Sequence, residues 1–278
     1  MSTSINTSFI TQWNDEVKQA YQQKGSKLRD AVRVVTGVVG ETYKFHKLGT
    51  ASTGSKTREA ELTPVNPAHT VVTATLADQY SPILLDELDQ LKTNADMRRE
   101  YVMASANALG RWTDATINTA LLASNTNGTT LSGGLTYAKI TEALTLLNAV
   151  DADPEDRFLI IGPHQLADAL ALTSLTSSDY VTIRSVMNGA IDSALGFRWI
   201  MSNQLTLNNL DAAGGAQNNT RHCFAVHKQA VGLAIGQDLK TEINYVPMRD
   251  ATLVNSKISL GAAVIEATGV IEVGCVEA

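Results

Sequence analysis

The chain has 278 residues and a formal net charge of −6, and 44% of its residues are hydrophobic while only 5% are aromatic. This length supports a large core in one or two domains, and no apolar run approaches the roughly 18 residues of a membrane span. The two cysteines are too few for a disulfide framework and lack a metal-binding spacing. Since the N-terminus also lacks the pattern of a secretory signal, the sequence predicts a protein made in a reducing cytoplasm, without a membrane partner.

The charges are unevenly distributed along the chain. Residues 1–60 carry nine Lys and Arg against five acids, so this part has a net charge of about +4 and the rest about −10. This polarity suits a basic arm that lies on the acidic surface of another copy, or contact with nucleic acid phosphates. Chance clustering on a solvated surface explains it equally well.

Residues 7–24 are predicted to form an amphipathic helix that ends at Gly25. Its apolar stripe is narrow, so the helix is expected to dock on another surface instead of filling a core. The stripe consists of residues that recur every fourth position and are the first candidates for an assembly interface: Phe9, Trp13, Val17 and Tyr21.

Two strands with alternating side chains follow, at 42–48 and 70–76. The polar connection between them, 49–68, is longer than most loops inside compact domains. A two-stranded hairpin is marginal in water on its own, so the sequence predicts a projecting hairpin that rests on another subunit. Its charged residues complete the candidate interface: Lys44, Lys47, Lys56, Arg58, Glu59 and Glu61.

A long helix is predicted next, starting with Ser81 as N-cap and Pro82 in the first turn. Apolar residues at spacings of three and four extend the pattern to about residue 124, which makes a rod of roughly 60 Å. Leu109 is expected to face the core. The neighbouring Gly110 costs about 1 kcal/mol relative to Ala in a helix interior and favours a bend.

The rest of the chain is predicted to be α/β up to residue 205 and mainly strands from residue 222. The expected helices are 136–150, 164–175 and 180–195, and the expected strands are 157–162, 197–202, 223–236, 241–246, 256–267 and 269–278.

No motif in the sequence predicts catalysis, cofactor binding or a metal site. A phosphate-binding GxxxxGK[ST] run is absent, and 151–157 lacks the glycine and glutamate of a calcium loop. His222 and His227 are five apart on a predicted strand, so they lie on opposite faces and are expected to pack with exposed tips. His46, His69 and His164 are isolated along the sequence. An enzyme whose site assembles from scattered residues stays an alternative.

One part of the chain, 70–124, carries a recognisable series of residues: 86–91 (DELDQL), Asp96, Arg98, Tyr101, 108–111 (ALGR) and Asp114. With this series the chain resembles the major capsid proteins of tailed bacteriophages that have the Hong Kong 97-like fold. The order of the predicted elements extends the resemblance over the whole chain.

The resemblance implies an α+β fold in five parts. These are an N-terminal arm at 1–35, a projecting E-loop hairpin at 36–80, a P-domain spine helix at 81–128, an A-domain at 129–244 and returning P-domain strands at 245–278.

The resemblance also implies function and partners. Pentamers and hexamers would form an icosahedral shell in the bacterial host cytoplasm, around double-stranded DNA held without sequence specificity. A separate scaffolding protein, a portal and possible decoration proteins would be partners, and no cofactor is implied. Lys56 lies in the loop, but no partner for a covalent cross-link can be matched. An encapsulin, which is a bacterial compartment shell of the same fold, stays an alternative.

Overall fold

The computed structural model describes residues 22–61, 64–86, 97–123, 128–129, 133–172, 193–208 and 219–277. The α-helices in these ranges are α1 (Met97–Ala123), α2 (Tyr137–Ala149) and α3 (Pro163–Ala171). The strands in these ranges are β1 (Arg33–Thr36), β2 (Thr42–Leu48), β3 (His69–Thr75), β4 (Ala77–Asp86), β5 (Arg157–Ile161), β6 (Ser193–Ala194), β7 (Phe197–Met201), β8 (Leu207–Asn208), β9 (Thr220–His227), β10 (Val231–Val246), β11 (Ala251–Val264) and β12 (Val270–Val276). The separate helices and mixed sheets agree with the predicted α+β class.

The described residues divide into two compact units. The small unit contains residues 22–25, 79–86, 97–111 and 239–258. The large unit contains the other described residues. Helix α1 and strands β10 and β11 each contribute to both units. The five-part division implied by the resemblance follows different boundaries and stays a prediction.

The predicted start of the long helix is wrong. Ser81 and Pro82 lie in strand β4, whose side chains alternate in exposure and whose Leu85 is buried. In the sheet order β1–β10–β11–β4 this strand is at the edge, where a proline is tolerated because every second N–H of an edge strand has no ladder partner. Residues 87–96 lie outside the described ranges. Over its described 27 residues α1 has a length of about 40 Å.

The second half of the predicted helix is confirmed. Leu109 is 2% exposed, as expected for a core position. The helix continues through Gly110 and is described as far as Ala123; residue 124, the predicted limit, lies outside the described ranges.

The large unit is built around a six-stranded sheet with the order β12–β9–β5–β7–β6, in which β8 also pairs with β9. The central strand β5 is buried over its whole length, and it pairs in parallel with β7 and antiparallel with β9. Its burial agrees with the short apolar run predicted as a buried strand. Leu159, Ile160 and Phe224 are fully buried in this core.

Most other predicted elements are confirmed within a few residues, with three corrections. The expected helix at 180–195 does not extend to its predicted end, because Ser193 and Ala194 pair with β7 as strand β6; residues 180–192 lie outside the described ranges. The expected strand at 223–236 is interrupted by a short 3-10 turn, Lys228–Ala230. Strand β10 instead continues as one element of 16 residues, where a break was expected.

Candidate assembly surfaces

The hairpin formed by β2 and β3 has the predicted strands and connection. Its antiparallel register runs from Thr42 opposite Thr75 to Leu48 opposite His69. The Gly49 N–H donates to the Ala68 carbonyl at 2.8 Å and closes the ladder. Because side chains alternate along a strand, this register divides the hairpin into an inner and an outer face.

The inner face packs on the large unit itself. Phe45 is 3% exposed, and Ala74 opposite Tyr43 is also buried. The Phe45 ring covers Gly232, where an added Cβ would come within 2.5 Å of the ring. The Tyr43 and Phe45 rings meet edge to face with centroids 4.8 Å apart. The expectation that the hairpin rests on another subunit is therefore wrong for this face.

The outer face of the hairpin is open. We define it by eight residues that the register places together, all of them exposed: Thr42, Lys44, His46, Leu48, His69, Val71, Thr73 and Thr75. Leu48 and Val71 are 60% and 49% exposed, so the face combines apolar area with the Lys44 charge. A surface of this kind suits contact with a partner.

The charged candidates in the loop are likewise exposed: Lys56, Arg58, Glu59 and Glu61. Glu59 has a left-handed backbone, with φ of 69°, in a turn at the loop tip. These side chains are available to a partner, and their interface role stays a prediction.

Lys47 differs from the other hairpin candidates because it forms an ion pair with Glu266 inside the large unit. Burial raises the pKa of Glu266, but hydrogen bonds from Lys47 and Thr268 outweigh it and hold that pKa below its usual value. Lys47 therefore anchors the hairpin.

The four aromatic and aliphatic candidates of the N-terminal arm are outside the described ranges. Phe9, Trp13, Val17 and Tyr21 all precede residue 22. Their interface role stays a prediction.

The described part of the arm from residue 22 to 28 is attached to helix α1, first within the small unit. The Arg111 guanidinium donates to the Gln22 side-chain carbonyl at 2.8 Å. The Gly25 N–H donates to the Asn107 side-chain oxygen at 3.3 Å. Next to them Gly110 approaches Gly25 so closely that an added Cβ would be 2.5 Å from a backbone carbon. Gly110 thus provides space for a crossing chain, which explains a glycine in a helix interior.

Within the large unit Asp114 continues this attachment. Its carboxylate is fully buried and accepts hydrogen bonds from the Ser26 hydroxyl and from the backbone N–H groups of Lys27 and Leu28, the latter at 3.0 Å. A buried carboxylate is costly unless donors satisfy it, and these donors do so. Gly110 and Asp114 both belong to the residues that carry the sequence resemblance. Their contacts with a segment over 80 residues earlier have no local signal in the sequence.

The predicted exposed tip of His222 is wrong. His222 is 1% exposed, and its Nδ1 contacts the buried Glu272 carboxylate on the neighbouring strand. In the register between β9 and β12, His222 is opposite Gly274 and Phe224 is opposite Glu272. His222 and Phe224 are two residues apart on one strand, so the side chains of His222 and Glu272 lie on the same face of the sheet. His227 is partly exposed and accepts from the Gln229 N–H. The histidines therefore do not meet, as their spacing predicted.

The small unit presents a further exposed surface at the turn between β10 and β11. Met248 in the 3-10 turn Pro247–Arg249 is 98% exposed, and Tyr245 is 56% exposed. The Tyr245 hydroxyl donates to Asp250 and supports the turn. This hairpin tip was not singled out from sequence, where the residues read as an ordinary strand end.

Two further features of the described ranges bear on function. No helix there is long and apolar enough to cross a membrane. Likewise, those ranges contain no group of three or more His, Cys, Asp and Glu side chains placed to hold a metal ion.

Comparisons with known proteins agree with this architecture. A family model described as phage capsid protein matches residues 5–277. No curated protein matches the chain. Among solved structures, a capsid chain of the cyanophage P-SCSP1u is 19% identical with a TM-score of 0.80, covering 100% of this chain and 96% of its own. A chain of Mycobacterium phage Che8 is 17% identical with a TM-score of 0.75, covering 95% and 97%.

A capsid chain of a native GTA particle is 12% identical with a TM-score of 0.73, and each chain covers 100% of the other. These likenesses span whole chains and confirm the predicted fold, which is α+β and Hong Kong 97-like.

Proposed function

Because this chain belongs to the phage capsid protein family, we propose that its subunits join as pentamers and hexamers in an icosahedral shell around a double-stranded DNA genome. The function of a major capsid protein and its location in the virion follow from the family. Beyond these, we propose the capsomer types, the packaged DNA and the host cytoplasm as the place of assembly.

The observation that carries the proposal is the β2–β3 hairpin with one packed and one open face. Phe45 and Lys47 hold its inner face on the large unit. The outer face and the loop from residue 50 to 61 are exposed. A hairpin anchored in this way extends from its own subunit without losing its fold, and its open face is available to a neighbouring copy. We therefore assign this element as the E-loop.

We propose that further partners bind the subunit or the assembled shell. The part of the arm before residue 22 docks on a neighbouring subunit, and a separate scaffolding protein, a portal and decoration proteins bind the shell. Contact with DNA is through phosphates, without readout of bases, so its affinity decreases steeply with salt. The role is structural, and we propose that the protein has no catalytic site or cofactor.

Electron microscopy of the purified protein tests the proposal. Closed shells with icosahedral symmetry, and nuclease-protected DNA in particles from infected cells, are the expected results. Shells of the same kind filled with protein cargo would support the encapsulin alternative. A small oligomer of fixed size over a wide concentration range would contradict shell assembly and favour an enzyme.

A further inference from the structure

Two histidines that are distant in sequence lie near each other on the outer face of the hairpin. The register places His46 opposite Val71 and His69 opposite Leu48. The two histidines are therefore diagonal neighbours on adjacent antiparallel strands, with side chains on the same face. Diagonal neighbours are about 7–8 Å apart, which is within reach of ring side chains. The interpretation of these histidines as isolated residues is corrected by this pairing.

Both imidazoles are free to bind a ligand. His46 and His69 are exposed, and neither has a hydrogen-bond or ion-pair partner among the residues that the structure describes. The residues directly opposite the two histidines are Val71 and Leu48. Their side chains have no donor or acceptor that would compete for a ligand. A neutral imidazole carries a lone pair on one ring nitrogen, and this lone pair can bind a metal ion.

We propose that His46 and His69 together bind one divalent transition metal ion of the Zn²⁺, Ni²⁺ or Cu²⁺ class. Imidazole nitrogen suits these ions, whereas Mg²⁺ and Ca²⁺ prefer oxygen ligands. Each metal–nitrogen bond is about 2.0–2.1 Å, so two rings that lean toward each other across the diagonal bring their nitrogens to one ion. Two protein ligands leave coordination positions for water, or for a group of a second copy of this chain.

The site requires both histidines, because the second ligand binds within the same molecule once the first is bound. This intramolecular step increases the affinity without any further contact. The site does not require a shell, so unassembled full-length subunits are suitable for the test even where particles fail to form.

Calorimetric titration of the full-length protein with Ni²⁺ alone tests the proposal. We expect one ion per subunit, and affinity at least about tenfold lower in both His46→Gln and His69→Gln. His164→Gln is the matched control, since His164 is also exposed but lies on helix α3. Circular dichroism verifies that each variant keeps the parent fold, as expected for exposed positions.

Two results would overturn the proposal. One is Ni²⁺ binding by the parent that is no tighter than binding by the His46→Gln, His69→Gln double variant. The other is a loss of affinity in His164→Gln as large as the loss in either hairpin variant. An affinity order that follows Cu²⁺ over Ni²⁺ over Co²⁺, and that disappears in both hairpin variants, would further support imidazole ligands.

Discussion

Gly110 of helix α1 and Gly25 of the N-terminal arm are in such close backbone contact that a Cβ on Gly110 would lie 2.5 Å from the Gly25 carbonyl carbon. Alanine is normally the better helix residue by about 1 kcal/mol. Here the close contact overrides that preference, because the neighbour is backbone and cannot rotate away.

Gly110→Ala is therefore expected to destabilise the subunit by about 1–3 kcal/mol, the usual cost of overpacking. Urea unfolding of the unassembled subunit measures this change. Gly54→Ala is the control, since nothing lies within 4 Å of a Cβ at that loop position, and its free energy of unfolding should stay close to the parent's. A more stable Gly110→Ala variant would show that the two segments do not touch in solution.

Asp114→Asn is expected to lower the free energy of unfolding by about 1.5–3 kcal/mol, the range for hydrogen bonds to a charged group. The amide has one acceptor oxygen and directs N–H groups at the donors of Ser26, Lys27 and Leu28. Chemical denaturation followed by circular dichroism provides the measurement. The exposed Asp30 supplies the control, Asp30→Asn, for which little change is expected; equal effects of both substitutions would contradict the anchoring role.

The ion pair between Arg221 and Glu277 is expected to make the free energy of unfolding depend on pH. The hydrogen bond from Arg221 outweighs burial and holds the pKa of Glu277 below its usual value of 4.5. A depressed carboxyl pKa contributes stability that is present above the usual value and is lost as pH falls through the folded-state pKa.

The parent should therefore exceed Glu277→Gln in free energy of unfolding at neutral pH, by about 1–3 kcal/mol. The difference should shrink as the pH is lowered from about 5 toward 3. Denaturation midpoints over this range measure the effect, with the exposed Glu155→Gln as control. A difference that stays constant across the range would mean that the carboxylate charge contributes nothing.

Replacing residues 49–68 by Asn-Gly tests the assignment of the hairpin as the E-loop. Leu48 and His69 are already opposite each other, so a two-residue turn that matches the strand twist should join them. Closure entropy changes by only about 0.6 kcal/mol per halving of loop length, and the inner-face contacts stay. The melting temperature of the unassembled subunit should remain near the parent's, while electron microscopy should show no normal shells. Normal closed shells from the shortened protein would make the loop a mere connection.

Sequence reasoning succeeded where the signal is local. Helix α2 was predicted because its apolar residues recur at helical spacing, and strand β5 because it is a short apolar run bounded by turn residues. The hairpin was predicted for the same reason. The prediction of a helix start at Ser81 and Pro82 was wrong, since proline suits both the first turn of a helix and an edge strand. Only the pairing with the neighbouring strand β11 distinguishes the helix from the strand.

The sequence by itself thus determined the types of most elements, the buried position of Leu109 and the two strands of the hairpin, since periodicity and turn chemistry operate over a few neighbouring residues. Only the tertiary structure decided which distant residues meet. Gly25 lies on Gly110, and Asp114 binds 26–28. The register that brings His46 beside His69 depends on pairing across a 20-residue connection, and a shift by a single residue would place them on opposite faces.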